Sequence, residues 1–213
     1  MGRMAARGPG GRFAPRASGA GEASSRVIEV AMLDIRSWGP LSRWLRRGDA
    51  GPVPPTWRTA PLGHLRTAQD YRAALGHAHI QISADAEGLL HRSEPGFAER
   101  KRTIDLATAT VAELGFPDGA RYADIRARAR KLRLGFCPPE VGPALRLAYR
   151  DQPHGERLIV AMQMVGDPED ALVFSLDHDD DGLWLDVHDG HLDGFWRAED
   201  VFVFVARPTR RKG

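Results

Sequence analysis

Ala144-Leu145-Arg146-Leu147-Ala148-Tyr149-Arg150-Asp151-Gln152-Pro153-His154-Gly155-Glu156 is the stretch in which the apolar period of the chain changes. Leu145, Leu147 and Tyr149 alternate with Arg146, Ala148 and Arg150, the period-two pattern of a half-buried strand. Turn formers fill residues 151–155, so residues 158–165 read as the hairpin partner. Leu172, Phe174 and Leu176 make a third strand. A turn at 179–182 leads into a fourth through Leu183, Leu185 and Val187. Val201-Phe202-Val203-Phe204-Val205 is apolar on both faces, as a central or covered strand would be. The expectation is an α+β fold, with short helices followed by a five-stranded antiparallel meander or a small barrel-like sheet.

Upstream of this region the period is helical. Tyr122, Ile125, Ala129 and Leu132 form an apolar stripe within a helix over 121–133. Before it, residues 104–108 read as a strand. Thr110 caps a short helix through Leu114, and Gly115 takes the C′ place. Thr67 and Asp70 have the spacing of a capping box and open a helix to about residue 77. Ser83 caps a second helix that ends near Leu90. Four prolines in 51–62 (Pro52, Pro54, Pro55 and Pro61) mark a linker or crossing segment. Residues 27–30 have a strand's composition, and Trp38, Leu41, Trp44 and Leu45 fit one helical face. The expected organisation is a disordered basic tail at 1–25, a partly helical arm at 26–100, a body at 101–207 and a basic tail at 208–213.

Residues 134–156, from Leu134-Gly135-Phe136-Cys137-Pro138-Pro139-Glu140 to Glu156, carry the strongest resemblance to other sequences. It continues through 110–116, 159–162, Val173-Phe174, 182–185, Phe195-Trp196 and 202–205. Together these stretches are similar to a family of small uncharacterised bacterial proteins over roughly residues 70–207. The chain departs from that pattern at 162–170, where an Asp-rich turn is missing, and in the second short helix, which lacks a tryptophan. The resemblance implies no activity, cofactor or functional residue.

Composition narrows the function classes. One cysteine, Cys137, rules out a disulfide framework within the chain. No apolar run approaches the roughly 18 residues that span a bilayer, so the reading is a soluble, cytoplasmic protein with no membrane partner. Arginine outnumbers lysine 27 to 3, which reads as coding bias more than as function. Charge is unevenly placed. Residues 166–200 hold twelve acids against Arg197 alone, while the remainder holds 29 basic and 16 acidic residues.

Several constellations compete with plainer readings. Asp177, Asp179 and Asp181 followed by Gly182 match the first half of a calcium loop, but the twelfth position is His188 instead of glutamate. An acidic hairpin turn explains the same residues. His188 and His191 with a nearby aspartate offer a transition-metal set, or else a solvated loop. Asp177, Asp179, Asp181, His188 and His191 are therefore the candidate metal ligands. Cys137 with His154 and Glu140 or Glu156 has the residue types of a nucleophile, base and orienter, against a thiol buried as a small hydrophobe. No serine elbow, phosphate loop or dinucleotide fingerprint is present, and the catalytic residues stay unassigned.

The 121–133 helix carries six basic residues against Asp124. With the preceding short helix it resembles a helix-turn-helix, and Arg126, Arg130 and Arg133 are its candidate nucleic-acid contacts. A solvated face, or one paired with the acidic 166–200 block, is the plainer reading. Trp184 and Trp196 fit core positions or a binding platform. The leading function is a non-enzymatic binding or accessory module that uses no cofactor and has a protein partner the sequence does not identify. The alternatives are a metal-assisted hydrolase working through 177–193 and a sequence-independent nucleic-acid binder. The sequence does not fix the oligomeric state.

Overall fold

A computed structural model of the chain describes residues 54–167 and 170–206, all within one compact unit, Pro40–Gly213. The tail at 1–25, the strand and helix readings at 27–45 and the basic tail at 208–213 lie outside the described residues. In chain order the elements are β1 (Arg58–Leu62), α1 (Ala68–His77), β2 (Gln81–Ile82), α2 (Ala84–Ser93), β3 (Arg102–Thr110), β4 (Ala120–Arg121) and α3 (Tyr122–Lys131). Then follow α4 (Val141–Ala148), β5 (Arg157–Val160), β6 (Leu172–Asp179), β7 (Gly182–Asp189), β8 (Phe195–Trp196) and β9 (Val201–Val205).

The fold is α+β, but the sheet is larger and less regular than an antiparallel meander. Seven strands run in the order β1-β3-β9-β5-β6-β7-β2, and β4 pairs with β8 separately. The β5/β9 and β2/β7 pairs are parallel; the others are antiparallel. The last strand is inserted between β3 and β5 instead of closing beside β7. This central place is why Phe202, Val203 and Phe204 are all buried. The hairpin of β6 and β7 about Gly182 forms as the alternation predicts, with Leu176 opposite Leu185.

The expected strand at 145–149 is instead helix α4. Val141, Gly142, Pro143, Ala144, Leu145 and Arg146 are all buried, so this helix is enclosed and shows no exposed polar stripe. Pro143 lies in its first turn, where a missing N–H costs little. Arg146 is fully buried. It was this charged residue that mimicked the solvent side of a strand.

Residues 58–62, read as part of a Pro-rich linker, form edge strand β1, with Pro61 opposite Thr103 at the margin where proline is tolerated. The segment at 58–93 thus gives two strands to the same sheet as the later ones. Local helix signals hold. Thr67 Oγ1 accepts from the Asp70 N–H at 3.0 Å while Asp70 Oδ2 accepts from the Thr67 N–H, and the Ser83 hydroxyl accepts from the Ala86 N–H. Thr110 and Glu113 exchange the same reciprocal bonds, but residues 111–115 stop at a turn, closed by Gly115 at φ +104°.

Helices cover both faces of the sheet. On one face α4 lies so close to β6 that a Cβ on Gly142 would sit 2.5 Å from the Phe174 ring. On the other, Tyr122 of α3 stacks on Phe202 with centroids 5.7 Å apart.

A basic face on α3 and its surroundings

α3 is anchored through its apolar side, with Tyr122, Ile125 and Ala129 buried and Leu132 closing the stripe. Its first two N–H groups are satisfied by the loop after β7: Tyr122 N–H bonds Gly194 O and Ala123 N–H bonds Leu192 O. Arg128, Arg130 and Lys131 crowd its last turn, where carbonyl ends favour cations. Arg128 Nε donates to Leu114 O at 2.9 Å.

Past α3 the chain returns over the helix. Arg133 adopts φ +62°, the left-handed conformation usual for glycine at a helix end. Leu134 N–H then reaches back to Ala129 O, and Gly135 bridges to Val205 of β9 with reciprocal 2.9 Å bonds. This return lays Phe136 beside the helix. Arg126 places its guanidinium 4.6 Å from the Phe136 ring centroid and 5.5 Å from that of Tyr122. Arg130 lies 5.4 Å from Phe136. Among the described residues no ion pair joins a basic side chain of α3 to a carboxylate. The pairing of this helix with the acidic 166–200 block is therefore not formed within the described chain.

Arg133 thus supplies the backbone reversal, whereas Arg126 and Arg130 share one surface with Phe136, the member that sequence reasoning missed. An aromatic three residues past Arg133, followed by Cys137-Pro138-Pro139, was its only signal. The helix-turn-helix arrangement is not formed, because residues 111–115 are a turn and the N-terminus of α3 is bonded to the 192–194 loop.

The candidate metal ligands are dispersed among other partners. Asp177 accepts from the Ser175 hydroxyl at 2.7 Å and pairs with Arg157. Asp179 Oδ1 accepts from the Asp181 N–H and from Trp184 Nε1 at 3.1 Å. The Asp181 carbonyl is taken by Gln81 Nε2. His188 packs edge-on against Trp196, and His191 pairs with Asp189. Asp177 and Asp179 do line one cleft of about 430 Å³, with Glu156, Arg157, Trp184 and Asp186. Among the described residues no group of three or more His, Cys, Asp or Glu side chains is arranged to hold a metal ion. Trp196 is buried, whereas Trp184 is half-buried on that cleft.

Cys137 is fully buried; desolvation pushes its thiol well above the ordinary range, and its Sγ lies 3.6 Å from Val203 O. His154 is on the surface, bonded to Asp180 at 3.0 Å. No hydrogen bond joins the two.

Glu140, considered as an orienter, is a buried structural tie. Its Oε1 accepts from the Gly63 N–H at 2.7 Å and the Tyr71 hydroxyl at 2.8 Å, and its Oε2 accepts from the Ala98 N–H at 2.7 Å. Burial, then the hydrogen bond to Glu140, pushes the Tyr71 phenol well above its usual value. Arg146 is a second buried tie, donating to Gln152 and to the Tyr149 carbonyl. Its burial lowers the guanidinium to about 10.

No helix among the described residues is long and apolar enough to cross a membrane. Set against models of known families, curated proteins and solved structures, the chain matches none.

Proposed function

We propose that the protein is a non-enzymatic binding module whose α3 face takes the phosphate backbone of a nucleic acid, independently of sequence. The supporting observation is that Arg126 and Arg130 are held against Phe136 with no carboxylate partner among the described residues. A guanidinium stacked on an aromatic ring has lost rotamer freedom before any ligand arrives, so less ordering remains to oppose binding. Its fork stays free for phosphate oxygens.

Two further features agree with this reading. Arg133 keeps a strained backbone at the edge of the face, where glycine would relieve it. The basic run Arg207, Arg210, Arg211 and Lys212 follows Ala206 directly, one residue after Val205 pairs with Gly135. In the sequence, four basic residues thus follow β9 closely. The described residues as a whole hold 17 basic and 23 acidic side chains, so attraction rests on local placement. Screening over about 8 Å at physiological ionic strength favours such a local surface over distant charge.

The test is fluorescence anisotropy of a labelled DNA duplex with the full-length chain in low salt. Wild type retains the duplex, and Arg126→Ala/Arg130→Ala weakens retention by roughly tenfold or more, about 1.4 kcal/mol. Equal retention by both proteins overturns the proposal.

A further inference from the structure

A cavity of about 520 Å³ lies where the end of α2, the start of β3, the Pro138-Pro139 step and the chain after β5 meet. This is within the size range of small-molecule sites. We infer that it binds an organic anion built from a charged oxygen head and a short apolar body. The inference concerns elements other than α3 and does not depend on the nucleic-acid reading.

The polar half of the cavity is cationic. Arg92 and Arg102 both line it. Neither side chain has an ion pair or hydrogen bond among the described residues. Both are exposed, and two guanidiniums on one small cavity disfavour a metal or amine there, so the complementary ligand is an anion. Ser93 lines the same cavity, is almost completely buried, and leaves its Oγ without a hydrogen-bond partner. A buried hydroxyl with nothing to bond is uncommon and asks for an explanation. An anionic oxygen entering between the arginines is a fitting acceptor.

Apart from the exposed Gln163, the remaining side chains on the walls are apolar. Pro138 and Pro139 form one side, and Met164 and Val165 the other. Met164 is one of only three large apolar side chains exposed among the described residues. An unbranched thioether at the mouth adapts to ligands of different shape. Both walls are fixed from behind, because Cys137 N–H bonds Ala161 O and Gln163 N–H bonds Cys137 O. Free inorganic phosphate would leave these walls uncovered, and a nucleic acid strand would not enter a cavity of this size. A carboxylate and a phosphate monoester share the required head, so the probes must separate them.

The experiment is isothermal titration of the full-length chain with octanoate, octyl phosphate, 1-octanol and octylamine. At least one of the two anions is expected to bind saturably, with a dissociation constant near or below about 1 mM. Octanoate alone identifies a carboxylate ligand, and octyl phosphate alone a phosphate monoester. The neutral and cationic probes bind at least roughly tenfold more weakly. Arg92→Gln/Arg102→Gln lowers anion affinity by roughly tenfold or more. Ser93→Ala weakens it as well without lowering the melting temperature, because the native hydroxyl gives up no bond. Failure of both anions to bind, equal binding of 1-octanol, or an unchanged affinity in the double variant overturns the inference.

Discussion

The guanidinium of Arg126 lies 4.6 Å from the centre of the Phe136 ring, and among the described residues neither it nor Arg130 pairs with a carboxylate. Phe136 is carried there by the chain reversal through Arg133, and Gly135 locks the reversal to β9. A surface built this way spends backbone strain to keep cations aligned, which separates it from a merely solvated helix.

That strain gives the first prediction. Replacing Arg133 with glycine relieves the left-handed backbone and raises stability by about 1 kcal/mol. It also removes a cation three residues from Arg130, so duplex affinity is expected to fall while the urea midpoint rises. If the variant loses stability, Arg133 contributes packing that outweighs its backbone cost.

Glu140 makes the second prediction. Gly63 and Tyr71 share its Oε1, and the Ala98 N–H bonds its Oε2. Glu140→Gln preserves the shape but sets an amide N–H₂ against one of these donors. The expected loss is about 2–3 kcal/mol, against about 1 kcal/mol for Tyr71→Phe, which leaves Oε1 bonded to Gly63. Urea unfolding of both variants checks the order; a larger loss in Tyr71→Phe would contradict it.

A third prediction sets helix propensity against packing. Gly142→Ala should stabilise an open helix by about 0.5–1 kcal/mol. Here the new methyl would lie 2.5 Å from Phe174 Cδ2 and 2.8 Å from its Cβ, so the base of the side chain must move. Overpacking of this kind costs about 1–3 kcal/mol, and the net effect is destabilising. A melting temperature above wild type would show that β6 yields easily.

Asp70 supplies a pH dependence. The Arg66 N–H, then the Thr67 hydroxyl and N–H, hold its carboxyl below the ordinary value of 3.8. A carboxyl depressed by folding contributes stability that is present above its unfolded value and lost as pH falls through the folded one. The difference in urea midpoint between wild type and Asp70→Asn should therefore shrink as pH drops below 3.8. A difference that stays constant into acid would mean that the charge itself contributes nothing.

The sequence was most legible where the physics is local. Thr67 with Asp70, and Ser83, each announce a cap through bonds spanning a few residues, and each forms; the short helix expected between Thr110 and Gly115 stops at a turn. The alternation in 172–187 is likewise decided by neighbours across one tight turn. β9 shows the limit: five apolar residues declare a covered strand but do not say that it enters between β3 and β5, a choice made by contacts 43 residues away on one side and more than 90 on the other. Helix α4 was hidden because Arg146, a buried tie, has the letter of a surface residue. Of the proposed face, the arginines were visible as a helical run. Phe136 was not, because its place depends on a reversal at a residue that does not ordinarily adopt φ +62°.

The most direct measurement for the α3 face is the salt dependence of duplex binding by wild type and Arg126→Ala/Arg130→Ala. Each phosphate contact releases counterions and adds about 0.9 to the slope of log affinity against log salt. If both arginines contact phosphates, the double variant's slope is shallower by about 1.8, with affinity reduced alike for unrelated duplex sequences. Parallel slopes for the two proteins, or a wild-type chain that retains no duplex at low salt, would contradict nucleic-acid binding through α3.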